Sequence, residues 1–160
     1  MGLTLEMLVI ICFAGRHHAC SAPFRGTLAF RSMSIAIVRL GTPRKRGEGL
    51  RLGTVRRPPR GVPKSDFARL DYYDVWFPNL SPSAELVHEA LGADNDKAWS
   101  AFTRKFRREM NEPDRSRELD LLAALSHHTN FSLGCYCEDE TRCHRSVLRE
   151  LLVERGADVL

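Results

Sequence analysis

The sequence predicts a single α/β domain: a mainly parallel β-sheet covered by helices and closed by a strand–helix–strand unit at the carboxyl end. Two observations carry this. Runs at 35–40, 50–55 and 130–137 are rich in apolar and β-branched residues, as strands are, whereas 81–125 places apolar residues at the three- and four-residue spacings of helices. The last thirty residues then read strand, helix, strand, an order that implies parallel pairing through a crossover. A length of 160 residues suits one hydrophobic core and is short for two.

Charged residues make up 28% of the chain and apolar residues 43%, which excludes a wholly disordered or membrane-embedded protein. Residues 1–32 stand apart. Met7–Gly15 is apolar like the middle of a secretory signal, but Glu6 precedes it, Arg16 follows it, and no small-x-small cleavage site comes after. Met33 is followed at once by the strand-like SIAIVRLG. We therefore expect the natural start at Met33, residues 1–32 as an upstream or poorly ordered extension, and 33–160 as the domain. A signal or short amphipathic anchor is the alternative. Cys12, Cys20, His17 and His18 fall in that extension and receive no role. The five cysteines are odd in number and lie in two groups, so they are read as reduced thiols of a cytoplasmic protein.

In order, Ile35–Leu40 clusters β-branched residues as a buried strand does, and GTPRKRGEG after it has the punctuation of a loop. Leu50–Val55 is a short second strand. It stops at RRPPRGVPK, where Pro58, Pro59 and Pro63 remove donors and make an extended basic loop. DYYDVWFPNL supplies aromatic and β-branched residues, then SPSAELVHEAL opens a helix with Ser81 as cap, Pro82 at its first position and Gly92 beyond its last. A second helix from Asp94 sets Trp99, Phe102, Phe106 and Met110 on one face, read as core rather than as a base-stacking stripe. Pro113 starts a third helix to Leu125, with Leu119, Leu122 and Leu125 inward and His127 and His128 placed to satisfy terminal carbonyls. After the strand NFSLGCYC, Val147, Leu148, Leu151 and Leu152 form the buried face of a final helix, Gly156 closes it, and ADVL begins one more strand.

The net charge of +4 hides an asymmetry. Arg39–Lys64 holds nine Lys or Arg residues against Glu48 alone, so this stretch carries +8 and the remainder −4. Such a field attracts phosphate, nucleic acid or another anion, and it is equally the composition of a solvated loop.

LGCYCEDETRCHRSVLRELL (133–152) concentrates three cysteines and a histidine within ten positions. Cys135 and Cys137 end a strand on one face, and Cys143 and His144 open the next helix. Ligands of open α/β sheets bind in the crevice beyond the strands' carboxyl ends, which is where this motif falls. Zinc is the lesser alternative: the ligand types match, but knuckle spacing is absent. Neighbouring Cys143 and His144 also leave a helix about 100° apart, so one ion does not receive both. No metal ligand and no cofactor is therefore expected.

A reactive thiol needs about 2 kcal/mol of help to ionise near neutrality. The helix dipole gives roughly 0.3 to 1 kcal/mol. Arg142 and Arg145 can add to this, and Glu138, Asp139 and Glu140 oppose it. Cys143–Arg149 also fits the loose C-x5-R spacing of cysteine phosphatases, but Val147 and Leu148 belong to a regular helix and not to a glycine-rich phosphate loop. The bland reading keeps the cysteines as small buried residues, with His144 and Arg145 making helix-start hydrogen bonds.

CYCEDETRCHRSVLRELL, GLRLGTVRRPPRGVPK, DVWFPNLSPSAELV and WSAFTRKFRREM occur in an order that resembles the YeaO-like family, domain of unknown function 488, over Met33–Leu160. The resemblance implies a small bacterial or archaeal cytoplasmic α/β protein without an established activity. It also implies that an acid can replace Cys137, which argues against an obligatory three-cysteine zinc site. The middle helices show no clear helix-turn-helix, so a transcription-regulator role finds little support.

Two functional expectations follow. In the first, an enzyme or sensor forms a pocket for an anionic, nucleotide-like ligand. Cys143 is its nucleophile and His144 its acid or base; Arg57, Arg60, Lys64 and Arg145 hold the anion, and Cys135 and Cys137 give support. In the second, the basic 39–64 segment binds nucleic acid and the Cys-His-Arg turn only holds the fold. No glycine-rich dinucleotide fingerprint or Walker loop is present, so tightly bound NAD or ATP is not expected.

Overall fold

The structure, a computed structural model, describes residues 33–160. The expected extension, with its cysteines and histidines, lies outside the described residues.

Four parallel strands, β1 (Ile35–Arg39), β2 (Leu50–Gly53), β3 (Val75–Trp76) and β4 (Phe131–Cys135), form one sheet in the order β1-β4-β2-β3. The helices are α1 (Ala84–Leu91), α2 (Asp96–Met110), α3 (Pro113–Leu125) and α4 (His144–Glu154). β4 is last in sequence but inner in space, paired to β1 on one side and β2 on the other, and all five of its residues are buried. Ile37, Leu133 and Leu52 stand in one row across the three strands. That row packs into a core with Leu86 of α1, Phe102, Phe106 and Met110 of α2, Leu119 and Leu122 of α3, and Val147 and Leu148 of α4. The helices therefore share one face, and the aromatic stripe of α2 is core.

Loops cover the opposite face, because its residues are unsuited to helix packing. The neighbouring row there contains Ser132 and Arg51. Buried Arg51 donates to Glu48 at 2.7 and 2.9 Å and to the carbonyls of Thr42 and Asp71 at 2.9 and 2.6 Å, tying both covering loops to β2. Ser132 donates to the same Glu48 at 2.6 Å. Leu40 and Tyr73 pack directly over Gly134 and Gly53, where a Cβ would overlap them.

Several boundaries differ from expectation, each for a local reason. Ser83, not Ser81, caps α1 and accepts from the Leu86 N–H. Ser81 is buried and donates to the Pro78 carbonyl in a preceding 3-10 turn. Asn95, one residue beyond Asp94, caps α2. Leu125 is 37% exposed because α3 ends there, and Ala123 fills the inward position instead. His127 does not cap its own helix: it bridges the Gly156 carbonyl and the Asp158 carboxylate, both at 3.0 Å, and pins the chain end. The terminal strand reduces to a single bridge between Val159 and Ile35, so the crossover through α4 passes from β4 to the outer side of β1.

Candidate functional site

β4 ends at Cys135 in the middle of the sheet, and the chain must turn there to enter α4. The turn is self-supporting. The Asp139 carboxylate accepts from the Thr141 N–H and hydroxyl, both at 2.8 Å, and the Glu140 carbonyl accepts from the Cys143 N–H at 3.1 Å. This doubling back returns Cys143, at the N-cap of α4, to the strand end it left. The sulfurs of Cys135, Cys137 and Cys143 consequently lie within 4.8 Å of one another, with Cys135 donating to Cys137 at 3.6 Å. Cys135 and Cys143 are buried and Cys137 is exposed. Knuckle spacing was the wrong test of convergence, since the loop rather than a short turn gathers the thiols. The three sulfurs form a set that could hold a metal ion, and His144 is not part of it.

The surroundings of Cys143 favour its thiolate. Hydrogen bonds from Cys135 and Cys137, then the His144 imidazole, hold its thiol well below the ordinary thiol value in spite of burial. Cys135 is pushed far up, through its hydrogen bonds with Cys137 and Cys143 and through burial, because a second charge beside the first is disfavoured. Arg145 adds a donor, its Nε–H pointing to the Cys143 sulfur at 3.3 Å.

The His144 ring is oriented from the end of β2. Its Nε2 sits 2.7 Å from the Thr54 carbonyl, which can only accept, so Nε2 carries the proton. The Thr54 hydroxyl, 3.3 Å from Nε2, is itself donating to the Gly134 carbonyl. Nδ1 lies 3.7 Å from the Cys143 sulfur, within reach to share a proton with it.

Cys143 and His144 line a cavity of about 750 Å³ at the carboxyl end of the sheet, and Arg57 and Arg60 of the proline-punctuated loop line the same cavity. Arg56 and Arg142 join them. Arg142 is also paired with Asp96 at 2.5 Å and stacked over Trp99, which fixes its position. Apolar lining comes from Val87, Ala90 and Leu91 of α1 with Phe102 of α2.

Two of the expected anion ligands are elsewhere. Lys64 is exposed in a 3-10 turn and does not border the cavity. Arg145 is buried, with its guanidinium turned inward to the Val38 carbonyl at 2.5 Å and the Cys137 carbonyl at 2.7 Å. It organises the loop and the thiolate instead of facing the cavity. Arg149, the end of the C-x5-R spacing, pairs with Glu140 and the Leu160 carbonyl and also lies outside the cavity wall.

The +8 stretch is partly neutralised by acids from other parts of the chain and by its own Glu48. Arg39, Arg44 and Arg51 pair with Glu138, Asp74 and Glu48. The remaining cations divide between the ends of β2, with Lys45 and Arg46 lining a second cavity of about 220 Å³ at the amino end. Tyr72 and Tyr136, which also line the larger cavity, and Thr54, which holds His144, carried no role in the sequence. Tyr136 lies between two of the cysteines, and that adjacency was the available signal. Thr54 offered none, because its role depends on β2 pairing beside β4.

Residues 35–156 match the family model described as the active DUF488-N3 subclade. No curated protein and no solved structure matches the chain. Among the described residues no helix is long and apolar enough to cross a membrane.

Proposed function

The chain belongs to the DUF488, YeaO-like family, and on that premise we propose that the cavity binds an anionic, phosphate-bearing small molecule and presents Cys143 to it as a nucleophile. One observation carries the reading: Arg57 and Arg60 line the same cavity as Cys143 and His144. Each residue type then has a task. The two arginines supply fork-shaped donors that match phosphate oxygens. Cys143 supplies the electron pair, and the His144 imidazole beside it takes up the proton that its thiol gives away. The apolar lining from α1 and Phe102 gives a place for a base or other flat, weakly polar body beside the anion.

The alternative, nucleic-acid binding by the 39–64 segment, is less well served. Its unpaired cations sit at two ends of the sheet instead of along one strip, whereas backbone tracking needs a continuous one.

Isothermal titration of the reduced protein with inorganic phosphate and a panel of mononucleotides tests the proposal. Binding is expected in the wild type and in Cys143→Ser, is lost in Arg57→Ala/Arg60→Ala, and is unchanged in Lys64→Ala. Binding that survives the double arginine change, or none in the wild type, overturns it.

A further inference from the structure

Three thiols in mutual reach exceed what one nucleophile needs. A disulfide requires about 2.05 Å between sulfurs, so within a cluster spanning 4.8 Å one sulfur has to travel. Cys135 is held in the innermost strand, where its carbonyl accepts from the Leu40 N–H at 2.9 Å. Cys143 is buried at the start of α4 between Arg145 and His144. Cys137 lies beyond the last strand residue with its side chain exposed, and it alone of the three has room to swing.

We propose that the cluster is a dithiol–disulfide couple in which Cys143 attacks a small disulfide bearing carboxylates and Cys137 resolves the mixed disulfide that results. The choice of an anionic substrate rests on Arg57 and Arg60 in the cavity lining argued above, while the couple itself rests on the mutual reach of the sulfurs and on the Arg145 Nε–H donated to the Cys143 sulfur at 3.3 Å. The Cys143 thiolate displaces one sulfur of R–S–S–R, forming Cys143–S–S–R and releasing RS−. Cys137 then gives its proton to that thiolate and attacks the Cys143 sulfur, and the second RS− leaves. In sum, one protein thiolate, one protein thiol and R–S–S–R become an internal disulfide, RSH and RS−. The protein loses two electrons and the small disulfide gains them; excess small thiol reverses the sequence.

The pairing is specific. Joining Cys135 to Cys137 would bend the end of β4 away from Leu40, whereas joining Cys137 to Cys143 closes only the exposed 138–142 loop.

The test uses the full reduced chain with oxidised glutathione, followed by alkylation and peptide mapping, since Cys12 and Cys20 are also present. A reversible Cys137–Cys143 linkage is expected in the wild type, and Cys137→Ser should accumulate one glutathione on Cys143. Arg57→Ala/Arg60→Ala should slow oxidised glutathione about tenfold and leave the uncharged 2-hydroxyethyl disulfide unaffected. A Cys135–Cys137 linkage, glutathione resident on Cys137, or an unreacted Cys143 overturns the inference. Phosphate binding by Cys143→Ser separates the two claims: binding without disulfide chemistry removes only the couple, and the couple without anion binding removes only the anion site.

Discussion

Replacing Glu48 by Gln tests how the loop-covered face of the sheet is held. Glu48 accepts from Arg51, Ser132 and the Lys45 N–H, and its partner Arg51 has no exposed surface. Burial works to raise its pKa, but those donors outweigh burial and bring the carboxyl from an ordinary 4.5 down to about 2. That difference corresponds to about 3 kcal/mol of folding stability. Because the folded value lies below the unfolded one, the contribution is complete above about pH 5 and is lost as pH falls through 2. Glu48→Gln removes it and leaves a buried guanidinium without a counter-charge, a loss of about 3 to 5 kcal/mol at neutral pH. Urea denaturation of both proteins from pH 7 to pH 2.5 provides the measurement. The gap between them should be widest at neutrality and should narrow with acid, and adding Arg51→Met to Glu48→Gln should recover part of it. A gap under 1 kcal/mol at pH 7, or one that does not change with pH, refutes this account of the pair.

Gly49→Ala should cost about 3 kcal/mol or more, since Gly49 has φ +78° and a Cβ there would overlap the Asn130 carbonyl; the urea midpoint reports it. Arg145→Met should lower stability by about 1 to 3 kcal/mol, by orphaning the carbonyls of Val38 and Cys137. It should also slow alkylation of Cys143 at neutral pH by weakening its thiolate, read by quantitative mass spectrometry of the 143-containing peptide. If duplex DNA is bound at all, affinity should survive Arg57→Ala/Arg60→Ala under the small-molecule reading, and gel-shift titration over a salt series measures that.

The helices were legible because a 3.6-residue period survives over 8 to 15 residues, as the Trp99–Met110 face shows. Strand order was not, since pairing is non-local and nothing in NFSLGCYC says that it enters between two earlier strands. Val75–Trp76 and Val159 are too short to carry any periodicity. The position of Cys143 and His144, after a strand and at the start of a helix, was legible from the neighbouring apolar patterns. Arg145 was misjudged because an arginine at a helix start is ordinarily exposed, and only the tertiary carbonyls of Val38 and Cys137 draw it inward. Arg51 was counted with the basic field for the same reason, although Glu48 three residues earlier was a visible hint of its partner.

The central claim is that Arg57 and Arg60 line the same cavity as the Cys143 sulfur and act on it through their charge. Comparing the rates at which iodoacetate and uncharged iodoacetamide modify Cys143 measures that effect with a probe of known charge and nearly constant size. The account predicts that the iodoacetate-to-iodoacetamide ratio falls by roughly an order of magnitude in Arg57→Ala/Arg60→Ala. An identical ratio in the two proteins would contradict it.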